Sequence, residues 1–166
     1  MQRVLLPAMV AGSFLVAGQA LAASATGSFN ATMTITADCR VSSSPNLAFG
    51  SSGVWTSAVT AQADLEVQCT NGTDYQIGLG FSANASGSQR RMKHSTASEY
   101  INYDLFTDAG LTDPWGDTID TDTKGHSTRL TGNGQSQLQR VYGRVPVQAV
   151  SQPGAYSDTI TVTVTY

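Results

Sequence analysis

An all-β sandwich is the fold that three observations predict. Apolar and polar residues alternate with period two in several stretches, and no stretch carries a convincing helical period. Ser, Thr, Gly and Asn are abundant, while charged side chains make up only 13% of the chain. Period two places successive side chains on opposite faces of a strand. Short strands separated by turn residues pack as two sheets around one core.

The chain opens on an export signal. Met1-Gln2-Arg3 is a short basic start, residues 4–16 are apolar but too short to span a bilayer, and Ala20-Leu21-Ala22 fits the small-x-small cleavage rule. The expected leader is residues 1–22, with a cut after Ala25 as the alternative. Residues 23–166 are long enough for one domain with a core of its own. Twelve acidic side chains face nine basic ones, of which Arg3 lies in the leader, a balance that argues against nucleic acid or anionic lipid as the natural partner. Cys39 and Cys69 are the two cysteines, so oxidation in an exported chain admits a single pairing. Closing a loop of about 30 residues contributes roughly 3.5 kcal/mol in the chain-entropy picture. Two free buried thiols are the alternative.

The first alternating stretch is residues 25–39. Ala25, Gly27, Phe29, Ala31, Met33, Ile35, Ala37 and Cys39 share one face, and a Thr-rich set occupies the other. Fifteen residues at about 3.3 Å each reach roughly 50 Å, against about 5–6 residues for an ordinary strand. This length suggests two consecutive strands, the second starting near Ala37. A second clean alternation runs over Val59–Cys69 and puts both cysteines in phase with the apolar face of their strands. Asn71-Gly72 reads as a tight turn. Tyr75, Ile77, Leu79 and Phe81 then form a strand, residues 82–88 a loop, residues 90–93 a short strand, and Ile101, Tyr103 and Leu105 another. Residues 111–134 break the pattern and read mostly as loop, with a short strand near Arg129-Leu130. Val141, Gly143, Val145 and Val147 resume it, with Pro146 marking an edge or bulge. After a turn at Gln152-Pro153-Gly154 the chain finishes as one strand with Tyr156, Ile160, Val162, Val164 and Tyr166 on one face. Asp158 interrupts that apolar series once.

Catalytic chemistry finds little support. His94 and His126 both fall in polar, loop-like contexts where a solvated ring is expected, and no Gly-x-Ser-x-Gly elbow accompanies the serines. Asp117, Asp120 and Asp122 suggest a calcium loop. Counted from Asp120, however, Lys124 stands at a ligand position and Thr131 replaces the bidentate acid, so an EF-hand-type site is excluded and only a looser one stays open. Arg90, Arg91 and Lys93 read as a solvated strand edge. No cofactor or metal is expected, and the chain does not read as an enzyme. The remaining chemistry is that of strand edges. An unpaired edge is a template for another chain's strand, and alternate side chains supply specificity. Phe29, Ala31, Met33 and Ile35 are such a set, although an ordinary first strand pairing within its own domain shows the same pattern.

The order of motifs carries a resemblance. An alternating Thr-rich segment runs into Cys39 and is followed by Phe49-Gly50, then Val67-Gln68-Cys69-Thr70-Asn71-Gly72 and Arg91-Met92. Ile101-Asn102-Tyr103-Asp104-Leu105-Phe106, Trp115-Gly116, Tyr142-Gly143-Arg144-Val145-Pro146 and Pro153-Gly154-Ala155-Tyr156-Ser157-Asp158-Thr159-Ile160 come next, and a Thr/Val strand ends the chain. Over essentially all of residues 23–166 this resembles the spore coat protein U domain family, which includes the pilin subunits of archaic (Csu-type) chaperone–usher pili. The resemblance implies an immunoglobulin-like sandwich lacking one strand, completed by a periplasmic chaperone and then by the N-terminal segment of the next subunit, exchanged at an outer-membrane usher. Carried onto this sequence, residues 23–36 would be the donor extension, with Phe29, Ala31, Met33, Ile35 and also Gly27 on its inserted face. Residues 37–166 would be the pilin domain, Cys39 and Cys69 its disulfide, and Tyr156, Ile160, Val162, Val164 and Tyr166 the strand flanking the groove and meeting the chaperone. The implied role is a surface fibre serving attachment and biofilm formation, with identical or related subunits as partners. A self-complemented secreted coat or envelope protein, and a small lectin-like module using Trp115 with Tyr100 or Tyr103, are the alternatives.

Overall fold

The alternation at Val59–Cys69 forms one strand over that whole span, and the rest of the sandwich is built around it. The structure, a computed structural model, describes residues 22–44, 46–117, 129–149 and 152–166. Except for Ala22, the expected leader 1–22 lies outside the described residues, as do Asp120, Asp122, Lys124 and His126. Among the described residues there are nine strands and no helix: β1 (Cys39–Ser43), β2 (Val59–Cys69), β3 (Asp74–Leu79), β4 (Arg90–His94), β5 (Tyr100–Phe106), β6 (Leu130–Thr131), β7 (Ser136–Val145), β8 (Tyr156–Ser157) and β9 (Val162–Thr165).

These strands form two antiparallel sheets, one in the order β1-β2-β7-β5-β4-β8 and one in the order β6-β3-β9. The fold is the all-β sandwich expected from the alternation. Its core takes Leu65, Val67 and Cys69 from β2, Tyr75, Ile77 and Leu79 from β3, Ile101, Tyr103 and Leu105 from β5, and Val141 and Val145 from β7. All of them are in-phase positions of alternating stretches, because one face of each strand must leave water for the sheets to pack. Cys39 and Cys69 face each other across the β1–β2 ladder and form a disulfide, with Cα atoms 4.1 Å apart. The bond therefore joins neighbouring strands of one sheet.

The turn at Asn71-Gly72 joins β2 to β3. Gly72 has φ +80°, a conformation glycine adopts without steric cost, and its N–H donates to the Gly132 carbonyl at 2.8 Å. Gly143 in β7 has a different reason to be glycine. A Cβ there would stand 2.6 Å from Leu47 Cδ2 and 2.8 Å from Phe49 Cζ, so its bare backbone lets the 46–49 segment cross the sheet closely.

Four expectations are corrected. The home strand starts at Cys39 and not at Ala37, although Asp38 already exchanges bonds with Thr70, its N–H reaching the hydroxyl at 3.1 Å and its carbonyl accepting from the Thr70 N–H at 2.9 Å. β3 stops at Leu79, and Phe81 instead lies under the Arg90 guanidinium, 4.5 Å from the ring centre. β7 ends at Val145, before Pro146, whose carbonyl accepts from the Trp55 indole at 3.3 Å. The final stretch is two strands in different sheets, β8 paired with β4 and β9 paired with β3. The chain changes sheet just after Asp158, the residue that interrupts the apolar series.

The chain divides between Thr34 and Ile35 into two units, of which the sandwich unit holds all nine strands of the described residues. In the N-terminal unit the described residues carry no strand, and Phe29 and Met33 are 90% and 86% exposed. Ile35, in the sandwich unit, is also exposed.

Candidate functional site

The core of the sandwich is not closed over. A groove of about 530 Å³ opens onto it, and buried Leu65, Leu79, Tyr103 and Leu105 reach its surface. Ser44, Asn46, Leu47 and Phe49 line it from the segment after β1, and Tyr156 through Ile160, with Val162, line it from β8, the crossover and β9. The inward positions Val59, Ala61 and Ala63 of β2 are only half-buried, whereas Leu65, Val67 and Cys69 further along the same face are buried.

The two outer sides of the β3–β9 pair are treated differently, because β6 covers only Asp74 and Tyr75 of β3. Gly80 N–H donates to the Thr161 carbonyl at 2.8 Å, and the register then pairs Gly78 with Thr163 and Ile77 with Val164. Antiparallel alternation turns the outward groups of Ile77 and Leu79 away from β9, and those of Val162 and Val164 away from β3. On the β3 side these groups are covered. Trp115 Nε1 donates to the Ile77 carbonyl at 2.8 Å, Leu79 N–H donates to the Gly116 carbonyl at 2.8 Å, and the Arg90 guanidinium donates to the Leu79 carbonyl. On the outer side of β9 no described strand pairs with it, so an edge able to form a ladder lies beside an apolar groove.

A polar network stands where the groove meets the crossover. Tyr103 OH donates to Asp158 Oδ2 at 2.7 Å, and Asn84 Nδ2 donates to Asp158 Oδ1 at 2.8 Å. Burial, reinforced by the Asp158 carboxylate, pushes the Tyr103 phenol far above its ordinary pKa. Burial also lowers Arg90, against which the nearby charges of Tyr103, Asp117, Asp104 and Asp158 act.

The sequence-derived groove residues meet only in part. Tyr156, Ile160 and Val162 line the groove, Val164 continues along β9 half-buried, and Tyr166 is exposed, its hydroxyl donating to Asp38 Oδ1 at 3.3 Å. Three side-chain readings change. His94 is buried: its Nδ1 accepts the Thr96 and Ala97 N–H groups at 3.1 and 3.0 Å, its Nε2 lies 3.2 Å from the Pro153 carbonyl, and the ring packs edge-on to Tyr156. Arg90 is buried too, and Arg91 stacks 4.2 Å over Tyr100, so that cluster is no solvated edge. Trp115 is 2% exposed and Tyr103 is 4% exposed, which leaves neither ring a free face for a glycan. Sequence reasoning did not place Leu47, Phe49 or Asn84 at the groove, although Phe49 stands in one of the motifs. The first two sit in a segment without periodicity, and Asn84 in a loop.

The sequence profile of the Spore Coat Protein U domain matches residues 25–163. The chain belongs to the Spore Coat Protein U domain family. Protein U of Myxococcus xanthus is 28% identical to it over 175 residues, covering 96% of this chain and 95% of that protein. Among solved structures, the CsuC–CsuE chaperone–tip adhesion subunit pre-assembly complex, from archaic chaperone-usher Csu pili of Acinetobacter baumannii, matches with TM-score 0.56 and 28% identity. That match covers 80% of this chain and 40% of that chain, so this Spore Coat Protein U domain chain spans less than half of the solved one. A chaperone–tip adhesin complex of CFA/I fimbriae aligns at TM-score 0.42 and 16% identity, too distant to bear on the argument.

Proposed function

We propose that this protein is a structural subunit of a surface pilus, in which residues 23–36 of one copy fill the groove of the next. One observation carries the reading: an apolar groove lies beside the unpaired edge of β9, while the same chain has an exposed segment with alternate apolar residues. The solved Csu complex, in which a chaperone is bound to a pilus subunit, lends it support.

The energetics favour a durable joint. Phe29, Met33 and Ile35 contribute about 1.5–3 kcal/mol each when fully buried, and Ala31 less. Ordering the segment offsets part of this gain. The backbone ladder along Val162 and Val164 adds hydrogen bonds that must break together before the strand leaves. Each subunit donates from one end and accepts at another, so the contact does not close and a fibre grows. Before assembly the open groove needs a guardian, a role for a periplasmic chaperone, and an outer-membrane usher would exchange it for the incoming tail. Residues 1–22 would direct export, and the finished fibre would serve attachment and biofilm formation.

Deleting residues 23–36 tests this. The shortened chain, produced with its chaperone, is expected to give a folded complex that forms no fibres, as seen by electron microscopy, and a peptide of residues 23–36 is expected to displace the chaperone. A shortened chain that folds as a stable monomer without chaperone would sink the reading. A full-length monomer that loses stability on deletion, with no peptide exchange between molecules, would instead identify a tail folded into its own groove.

A further inference from the structure

The chain passes from β8 to β9 through residues 158–161, and Asp158 is the sole acidic residue on the inward face of 156–164. Tyr156, Asp158, Ile160, Val162 and Val164 alternate in phase and are all half-buried. An unpartnered carboxylate at such a position would be strongly unfavourable. Here both oxygens are satisfied, and by different parts of the sandwich. Oδ2 takes the Tyr103 hydroxyl from β5, and Oδ1 takes the Asn84 amide from the loop between β3 and β4, where the Asn84 carbonyl is itself held by Arg91 of β4 at 2.7 Å. Burial lowers the pKa of Arg90 from β4, and the charge of Asp158 is among those that act against that lowering.

Residues 158–161 form no strand, and the ladder resumes where the Thr161 carbonyl accepts from Gly80 N–H. Tyr156, Asp158, Ile160 and Val162 all line the groove, so its width along this side depends on where the crossover is held. We infer that Asp158 is the positioning residue that ties the crossover to β5 and to the β3–β4 loop and so keeps the groove open for an incoming strand. This rests on the acceptor-groove reading above. Without the bridge, the apolar side chains of 156–164 are free to settle into the groove that they now flank.

The bridge has a donor–acceptor polarity that can be reversed. Asn84→Asp sets two carboxylates against each other and breaks it. Asn84→Asp combined with Asp158→Asn restores it, because the amide then at position 158 can accept from Tyr103 and donate to the carboxylate then at position 84. Full chains lacking only the leader, each held as its chaperone complex so that no tail occupies the groove, are compared at neutral pH, with recovery of the disulfide-bonded complex to verify folding. The probe is a fluorescent peptide with the sequence of residues 23–36. Asn84→Asp is expected to slow peptide uptake at least about tenfold, and the double variant to return it to near the unmodified rate, the size expected for charge-assisted hydrogen bonds.

Hydrogen exchange at amides 159–164 follows the crossover without any peptide. It is expected to quicken in Asn84→Asp and to recover in the double variant. Equal uptake and exchange in Asn84→Asp and the unmodified chain, or a double variant no better than the single one, would overturn the role of Asp158. An unmodified chain that takes up no peptide would overturn the acceptor groove itself, and the exchange pattern would still decide whether Asp158 holds the crossover.

Discussion

Buried polar side chains do most of the fine positioning, and each is testable alone. Trp115 fills core volume and also supplies an N–H to the Ile77 carbonyl of β3, beyond the two residues that β6 pairs. Trp115→Phe keeps most of the volume and removes that donor. Stability should fall by about 1–3 kcal/mol, read as a lower urea midpoint with an unchanged slope. Tyr103 gives a pH signature. Its folded pKa is raised above the unfolded one, near 10, so its contribution is complete below that pH and is lost as pH rises further. Alkaline destabilisation starting near pH 10 should steepen by about 1.4 kcal/mol per pH unit for this group. Tyr103→Phe should remove that increment in urea titrations between pH 9 and 11, leaving the part due to Tyr75, whose pKa burial also raises. Such roles are hard to read from sequence, because His94, Arg90 and Trp115 owe their burial to partners far along the chain. Only Asp158 left a local mark, as the one break in an apolar alternation.

Strands were legible where one face is buried along the whole element. Val59–Cys69 coincides with β2 because its inward positions all take part in the core or its margin. Residues 156–166 misled for the same physical reason. Their alternation persists through the crossover, since the side chains keep facing the core while the backbone leaves one sheet for the other. The groove itself was less legible, because the 46–49 segment that bounds it has no period and is held by packing on Gly143. That packing can be probed directly. Gly143→Ala places a methyl against Leu47 and Phe49 and should cost about 1–3 kcal/mol in urea unfolding. Adding Leu47→Ala removes the closer obstacle and should recover part of the loss, giving a coupling energy of opposite sign to the first change. Additive losses would mean that Leu47 and Phe49 swing aside freely and that Gly143 does not set the approach.

At the scale of the whole molecule, the question is where the tail of a given copy is used. Met33→Arg in the full chain separates the possibilities. If the tail is donated to a neighbour, residue 33 contributes nothing to its own domain. Held with its chaperone, the variant should then give a folded complex as stable in urea as the parent's chaperone complex, with the Cys39–Cys69 disulfide intact. It should still accept a donor strand but fail to donate one, because an arginine cannot be buried in an apolar groove without a partner. Alone it should form no fibres. Mixed with unmodified subunits it should cap growing ends, so mean fibre length in electron micrographs falls steadily as the variant fraction rises, while the subunits inside each fibre stay as resistant to dissociation as before. If the tail instead completes its own domain, the same substitution lowers the unfolding free energy of the monomer by several kcal/mol, read as a lower urea midpoint, and leaves unmodified chains unaffected in mixtures. Stability of the variant alone and fibre length in mixtures move in opposite patterns under the two arrangements. A Met33→Arg chain that is destabilised on its own and has no effect on fibre length would therefore rule out exchange between subunits.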